Sequence, residues 1–410
     1  FATPQGVVQA ADQVEPGHAP APVAPAPVPR TDGSGGGNGG KGGRTLFIVG
    51  AAVLALVLLA GAGVVVWRFL PGSAAGTGGE TAADVTTLNH PAPPHFSATV
   101  DFSHEIAPGS QPGVGRDGDL LAYVDTQQRL NLVDTNGENL WSAELPVESG
   151  EALGELRFVR YGGENAVVME TAETLWFWPT EGGSPTSVDL PEDTSAQYVG
   201  SSVLIRNDRE AFVPVGGELL PVEVPGNSAP MLADGQDVLT AVSDGPWTWV
   251  SPEGSPVQVN AQRPDDAGEM EAILTALRGY VIIRWEPLRG DGTVLAFHDS
   301  EDGSVVGSAQ IDPADLEDVR HRSEAVGPRL AAYGPAVMDP ENGRTAVVPG
   351  FHPEMAVGSV VFGQINGALV AVDAEGRVEE APEGAVQPIG LLGERAIVVH
   401  EDHLYAISPE

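Results

Sequence analysis

Eight times along this 410-residue chain, a glycine stands immediately before a short run rich in Val, Ile and Leu, and this punctuation constrains the fold more than any other feature. The eight are Gly118 ("GDLLAYV"), Gly163 ("GENAVVM"), Gly200 ("GSSVLI"), Gly235 ("GQDVLTAV"), Gly279 ("GYVIIRW"), Gly327 ("GPRLAAY"), Gly358 ("GSVVFG") and Gly393 ("GERAIVV"). Each of the first seven is followed, 16 to 24 residues on, by a second glycine in a turn-like tetrad or pentad such as "DTNG", "PTEG" or "DSEDG". These second glycines are Gly137, Gly182, Gly217, Gly254, Gly303, Gly343 and Gly376, and the widest interval, from Gly279, holds the insertion "EPLRGDG". Asp caps a local turn with its carboxylate, Pro presets φ, and Gly tolerates positive φ. Each unit therefore reads as strand, glycine turn, strand, short loop, strand, Asp/Pro-x-x-Gly turn, strand. Four antiparallel strands in about 40 residues is the spacing of a propeller blade. The expected fold class is all-β, an eight-bladed β-propeller, with seven blades as the alternative count.

A β-sandwich would bury one face of each strand and so alternate apolar with polar residues. Here the second strand of several units is apolar on both faces: 166–169, 203–205, 281–283, 360–362 and 397–399. Sheets flanked on both sides by other sheets produce that pattern. The last unit, ending "EDHLYAISPE", has room for three strands only. Residues 96–102, "FSATVDF", alternate like an outer strand, and the reading places them against the C-terminal blade as the strand that closes the ring and removes its exposed edge.

The N-terminal quarter has a different texture. Residues 1–45 are Pro/Ala-rich and then Gly-rich, a composition that cannot bury a core and is expected to be a disordered cytoplasmic arm. From Leu46 to Trp67 there is no charged residue, which predicts a transmembrane helix over 46–70. Arg30, Lys41 and Arg44 before the span place the N-terminus inside and the bulk outside the cell membrane. Residues 71–95 read as a flexible spacer and 96–410 as the extracytoplasmic propeller.

The 57 acidic against 20 basic residues give a net charge of −37, which excludes nucleic acid as a partner, because phosphate binding needs clustered Lys and Arg. With no cysteine, there is no disulfide framework, thiolate metal site or thiol nucleophile. Trp176 with Trp178, and Trp247 with Trp249, form Trp-x-Trp pairs on third strands, one face of each strand; they read as packing between blades or as a ligand-stacking surface. "HEDH" (400–403) reads as a hairpin tip, and Asp299, Glu301 and Asp302 lack the alternating oxygen ligands of a calcium loop. No metal site, cofactor site or catalytic residue is assigned. "DPADLEDVRHR" (312–322) predicts a short helix with Asp312 as its cap and Pro313 at its first position.

At "LNLVDTNGENLW" and "GALVAVDAEGRV" the chain resembles the pyrroloquinoline-quinone-like repeat propellers, through Asp134, Gly137 and Trp141 in one blade and Asp373 and Gly376 in another. The Asp-to-Gly interval is a residue short, and the second blade lacks the Trp. The resemblance covers 96–410 and implies an eight-bladed fold. That family includes quinone-dependent dehydrogenases, which use calcium and often an adjacent-cysteine disulfide, and also non-catalytic scaffolds and sensor ectodomains. The chain lacks the cysteines and matches no calcium-binding set, so the resemblance implies a non-catalytic member without cofactor. The expectation is a membrane-anchored binding or scaffold module for another protein or a cell-envelope component. A sensor ectodomain of a signalling protein and a degenerate quinone- or glycan-active enzyme are the alternatives.

Overall fold

The computed structural model describes residues 87–147, 153–207, 210–252, 254–317 and 324–410. The described residues form eight four-stranded antiparallel sheets. Seven are built from four consecutive strands: blade 1 (113–144), blade 2 (156–189), blade 3 (195–222), blade 4 (229–259), blade 5 (267–311), blade 6 (324–347) and blade 7 (351–380). Blade 8 takes its inner three strands from 388–409 and its outer strand from Phe96–Glu105. The propeller and its count of eight follow the glycine punctuation.

Eight apolar clusters hold the sheets together, each drawn from two neighbouring blades, and the series runs from blades 1 and 2 round to blades 8 and 1. This is why second strands are apolar on both faces. In blade 3, Val203 and Ile205 pack toward blade 2 while Leu204, between them, packs toward blade 4. In blade 5, Val281 and Ile283 face blade 4 and Ile282 faces blade 6. All six are completely buried. A fully buried Leu, Ile or Val side chain is worth about 1.5–3 kcal/mol relative to exposure, so these central strands carry much of the cohesion between blades.

The closing strand pairs antiparallel with His403–Pro409, in a register that sets Val100 against Ile407 and His104 against Leu404. Phe96 and Val100 enter the cluster shared by blades 7 and 8, and Ile106, just beyond the strand, enters that of blades 8 and 1. Across the same seam the Gly393 amide donates to the Gly118 carbonyl.

The expected transmembrane helix is not part of this fold. The one helix among the described residues is Pro313–Glu317, capped as expected by Asp312, whose Oδ1 accepts from the Ala314 amide at 2.9 Å. At five residues it falls far short of the roughly 20 needed to span a bilayer. No helix among the described residues is long and apolar enough to cross a membrane. The arm over 1–45, the segment over 46–70 and most of the spacer lie outside the described residues. The fold class is thus corrected to the eight-bladed propeller with no membrane-crossing helix among the described residues, and the single-pass anchor expected from the sequence is not supported.

Two further adjustments concern the repeat. Of the fifteen glycines read as turn residues, twelve adopt positive φ; Gly200, Gly254 and Gly327 do not. At Gly200 the reason is close approach, since a Cβ there would lie 1.8 Å from the Ala233 carbonyl oxygen of blade 4. The insertion in blade 5 is absorbed partly by lengthening the second strand to Tyr280–Pro287 and partly by the connection that follows it.

Candidate functional site

The Asp-x-x-Gly turns are self-contained. Asp134 Oδ1 accepts from the amides of Asn136 at 2.8 Å and Glu138 at 2.9 Å, and Asp373 Oδ1 does the same for Glu375 and Arg377, both at 2.9 Å. Although desolvation opposes it, these amides hold both carboxyls below the usual carboxylate range. Asp299 caps its turn in the same way, accepting from Glu301 at 2.8 Å and Asp302 at 3.2 Å. Among the described residues no cluster of His, Asp and Glu is arranged to hold a metal ion.

The tryptophan pairs do not share a surface. Trp176 and Trp178 turn from blade 2 back toward blade 1, whereas Trp247 and Trp249 turn from blade 4 forward to blade 5. Trp178 and Trp247 are completely buried, while Trp176 and Trp249 are partly exposed. Both indoles of the second pair donate to one acceptor, the Ser300 carbonyl, each at 2.8 Å. Trp141 donates likewise to Thr180 of blade 2 at 2.9 Å. In blades 1 and 4, then, tryptophan N–H groups hold the turn of the next blade.

Partly buried charge gathers between the inner parts of blades 2 and 3. The inner strands of blades 2 and 3 set the Arg157 guanidinium over the Tyr198 ring at 4.5 Å, with the Tyr198 hydroxyl donating to Glu170 at 2.8 Å. Burial raises both Tyr198 and Glu170 above their ordinary ranges, which keeps the phenol proton in place. Arg157 also pairs with Glu155, so this network is closed on itself.

At the turns that follow the inner strands, the charges are less fully answered. Arg116 of blade 1 reaches the Gly200 carbonyl of blade 3 with its Nη2. It lies within electrostatic reach of Arg278 of blade 5, Arg160 of blade 2, Asp117 of its own turn and Asp234 of blade 4. Side chains from blades 1 and 5, opposite one another in an eight-membered ring, can meet only at the axis. Asp234 accepts from the Ser201 hydroxyl, and Arg278 Nε is buried with no hydrogen-bond partner among the described residues. Burial, reinforced by Arg278, brings Arg116 down to about 9, and burial alone brings Arg278 down to about 10; both remain cations at neutral pH. A cavity of about 160 Å³ opens beside them, lined by Val199, Leu277, Arg278, Ala325 and Val326 of blades 3, 5 and 6.

This convergence was not read from the sequence, although a trace of it is there. Arg116, Arg160 and Arg278 each lie within three residues before the first glycine of a repeat, in a chain with only 20 basic residues.

No protein-family model and no curated protein matches the chain. Among solved structures it is similar to BamB from Moraxella catarrhalis, at 14% identity over 76% of this chain and 99% of that one, with a TM-score of 0.43. It is also similar to Sqt1 from Saccharomyces cerevisiae, at 10% identity over 75% and 97% with a TM-score of 0.40. The WD40 domain of Pan2 from Neurospora crassa matches at 10% identity over 74% and 90%, with a TM-score of 0.32. At these scores the similarities carry no argument about family membership or activity.

Proposed function

We propose that the propeller is a non-catalytic binding module that engages a protein partner at the axial mouth formed by the turns after its inner strands. The observation that carries this reading is the approach of Arg116 and Arg278 from opposite blades, with the exposed Arg160 of blade 2 within electrostatic reach of Arg116, on a chain of net charge −37. A local cationic focus on an otherwise acidic surface steers and orients an acidic partner while repelling the rest. Supporting it, Tyr198 and Glu170, partly buried between blades 2 and 3, are tied to one another by a hydrogen bond.

Site-specific photo-crosslinking in the source cells tests the reading. A photoreactive side chain at Gln236, exposed in the blade 4 turn at the mouth, is expected to capture a defined protein. The same group at Gln127, exposed in a blade 1 turn on the opposite face, is expected not to. Adducts from Gln127 alone, or from neither position, would overturn it.

A further inference from the structure

We infer that the axial mouth binds a carboxylate carried on a short apolar stem, held by the guanidinium groups of Arg116, Arg160 and Arg278 with the stem seated in the adjoining cavity. The inference rests on the reading of the mouth as the binding face and names the chemistry recognised there.

Two arginines of the mouth, Arg116 and Arg278, combine partial burial with the lack of an ion pair among the described residues; Arg129, Arg263, Arg289 and Arg329 also form none but are exposed, as is Arg160. Arg157, Arg284, Arg344, Arg377 and Arg395 all form ion pairs with neighbouring carboxylates. Among the described residues, Arg116, Arg160 and Arg278 form none within 4.0 Å. Arg116 spends one donor on a neutral carbonyl, and the buried Nε of Arg278 has no partner. Among the described residues, Asp117 and Asp234 stand within electrostatic reach of both Arg116 and Arg278 and offset part of their charge. A guanidinium taken partly out of water without a partner costs free energy, and a carboxylate that accepts two parallel N–H bonds removes that cost.

The cavity decides between anions. Its walls, apart from Arg278, are Val199, Leu277, Ala325 and Val326, and at about 160 Å³ it has the scale of one side chain. A tetrahedral phosphate or sulfate would leave those apolar walls uncovered. One or two methylene groups below a carboxylate would cover them while the head meets the arginines at the rim. Glutamate or aspartate side chains of a protein partner have this form, and so do free short dicarboxylic acids.

The test uses the full 410-residue chain at low ionic strength, with two probes. One is glutarate; the other is the blocked peptide Gly-Gly-Glu-Gly-Gly, acetylated and amidated so that its only charge is the side chain. Either should raise the melting temperature saturably, because a ligand that binds only the folded state stabilises it by mass action. The stronger of the two identifies the source as a free acid or a protein segment. Arg278→Met should weaken binding at least about tenfold, the scale of one charged hydrogen-bond interaction. Without ligand, Arg278→Met should melt no lower than the parent chain, because it removes an unpaired, partly buried cation; a purely structural arginine would show the reverse. Arg278→Lys, which keeps the charge and loses the planar fork, should fold normally and bind with intermediate affinity. Arg344→Gln, at a distant exposed ion pair, should bind as the parent does. Saturable binding by neither probe, or undiminished binding by Arg278→Met, would overturn the inference. The crosslinking result at Gln236 stands or falls separately.

Discussion

Arg395 and Asp101, separated by 294 residues in the chain, form an ion pair across the seam where the ring closes. The contact is more than a pair. Arg395 Nη1 also donates to the Thr135 carbonyl of blade 1 at 3.0 Å, and the Ser408 hydroxyl donates to Asp101 at 2.9 Å. One guanidinium thus joins the closing strand, the body of blade 8 and the turn between the third and fourth strands of blade 1.

A double-mutant cycle on this pair should give a coupling energy of about 1 kcal/mol. Both side chains are about one third exposed, which keeps the value modest. Arg395→Ala is expected to destabilise more than that coupling, because the bond to Thr135 is lost as well. Urea denaturation of Arg395→Ala, Asp101→Ala and the double variant checks both points; a coupling indistinguishable from zero would mean that solvent screens the pair entirely.

His298 sets an acid limit on blade 5. Its Nδ1 bonds the Gly303 carbonyl at 3.1 Å and its Nε2 accepts from the Trp285 indole at 3.3 Å, so the buried ring is held neutral. Burial lowers its pKa from 6.5, with the Gly303 bond opposing. As pH falls below 6.5 the unfolded chain takes up the proton first, so stability is full above that value and declines as the folded pKa is approached. Melting temperature should therefore drop as pH falls below about 6.5, and His298→Asn should show a shallower drop from a lower start. The comparison of slopes isolates this group from Glu170 and Glu354, whose raised pKa values act in the opposite sense.

Gly200→Ala should be among the most damaging single-methyl additions in the propeller. The added carbon would fall 1.8 Å from the Ala233 carbonyl oxygen, where the two backbones are already joined by the Ser202 amide bonding the same oxygen at 3.1 Å. Blades 3 and 4 would have to separate. Gly163→Ala meets nothing within 4 Å and bears only the cost of its positive φ of 91°, about 1 kcal/mol. A thermal shift at least twice as large for Gly200→Ala is expected.

How these glycines were and were not legible has a physical basis. Positive φ is a local demand, so the turn at Gly137 shows in the four letters "DTNG". The demand at Gly200 comes from a carbonyl 33 residues away in another blade, and no local pattern carries it. The closing strand could be placed because an outer strand alternates in its own sequence and the last unit was visibly short of one. The tryptophan pairs could be assigned to one face of their strands, but not to the preceding or the following blade. That direction depends on which alternate positions of the strand each pair occupies in its blade's register, and these are opposite for Trp176 and Trp247. The arginine mouth is the extreme case, since Arg116 and Arg278 become neighbours only when eight blades complete a circle.

Closure by a strand from one end of the domain also fixes an order of events during biosynthesis. Residues 96–105 emerge from the ribosome roughly three hundred residues before His403–Pro409, the segment whose hydrogen bonds they complete. Blades 1 to 7 can each form from contiguous chain as they appear, as domain units do during synthesis. Throughout that interval the seam stays open: Phe96 and Val100 have no blade 8 to enter, and blade 1 presents Leu121 and Val133 uncovered on the side that blade 8 will occupy. The nascent propeller is therefore most exposed to wrong pairing in the last moments of translation, and a chain stalled before residue 403 would hold an unpartnered strand at one end of an incomplete arc.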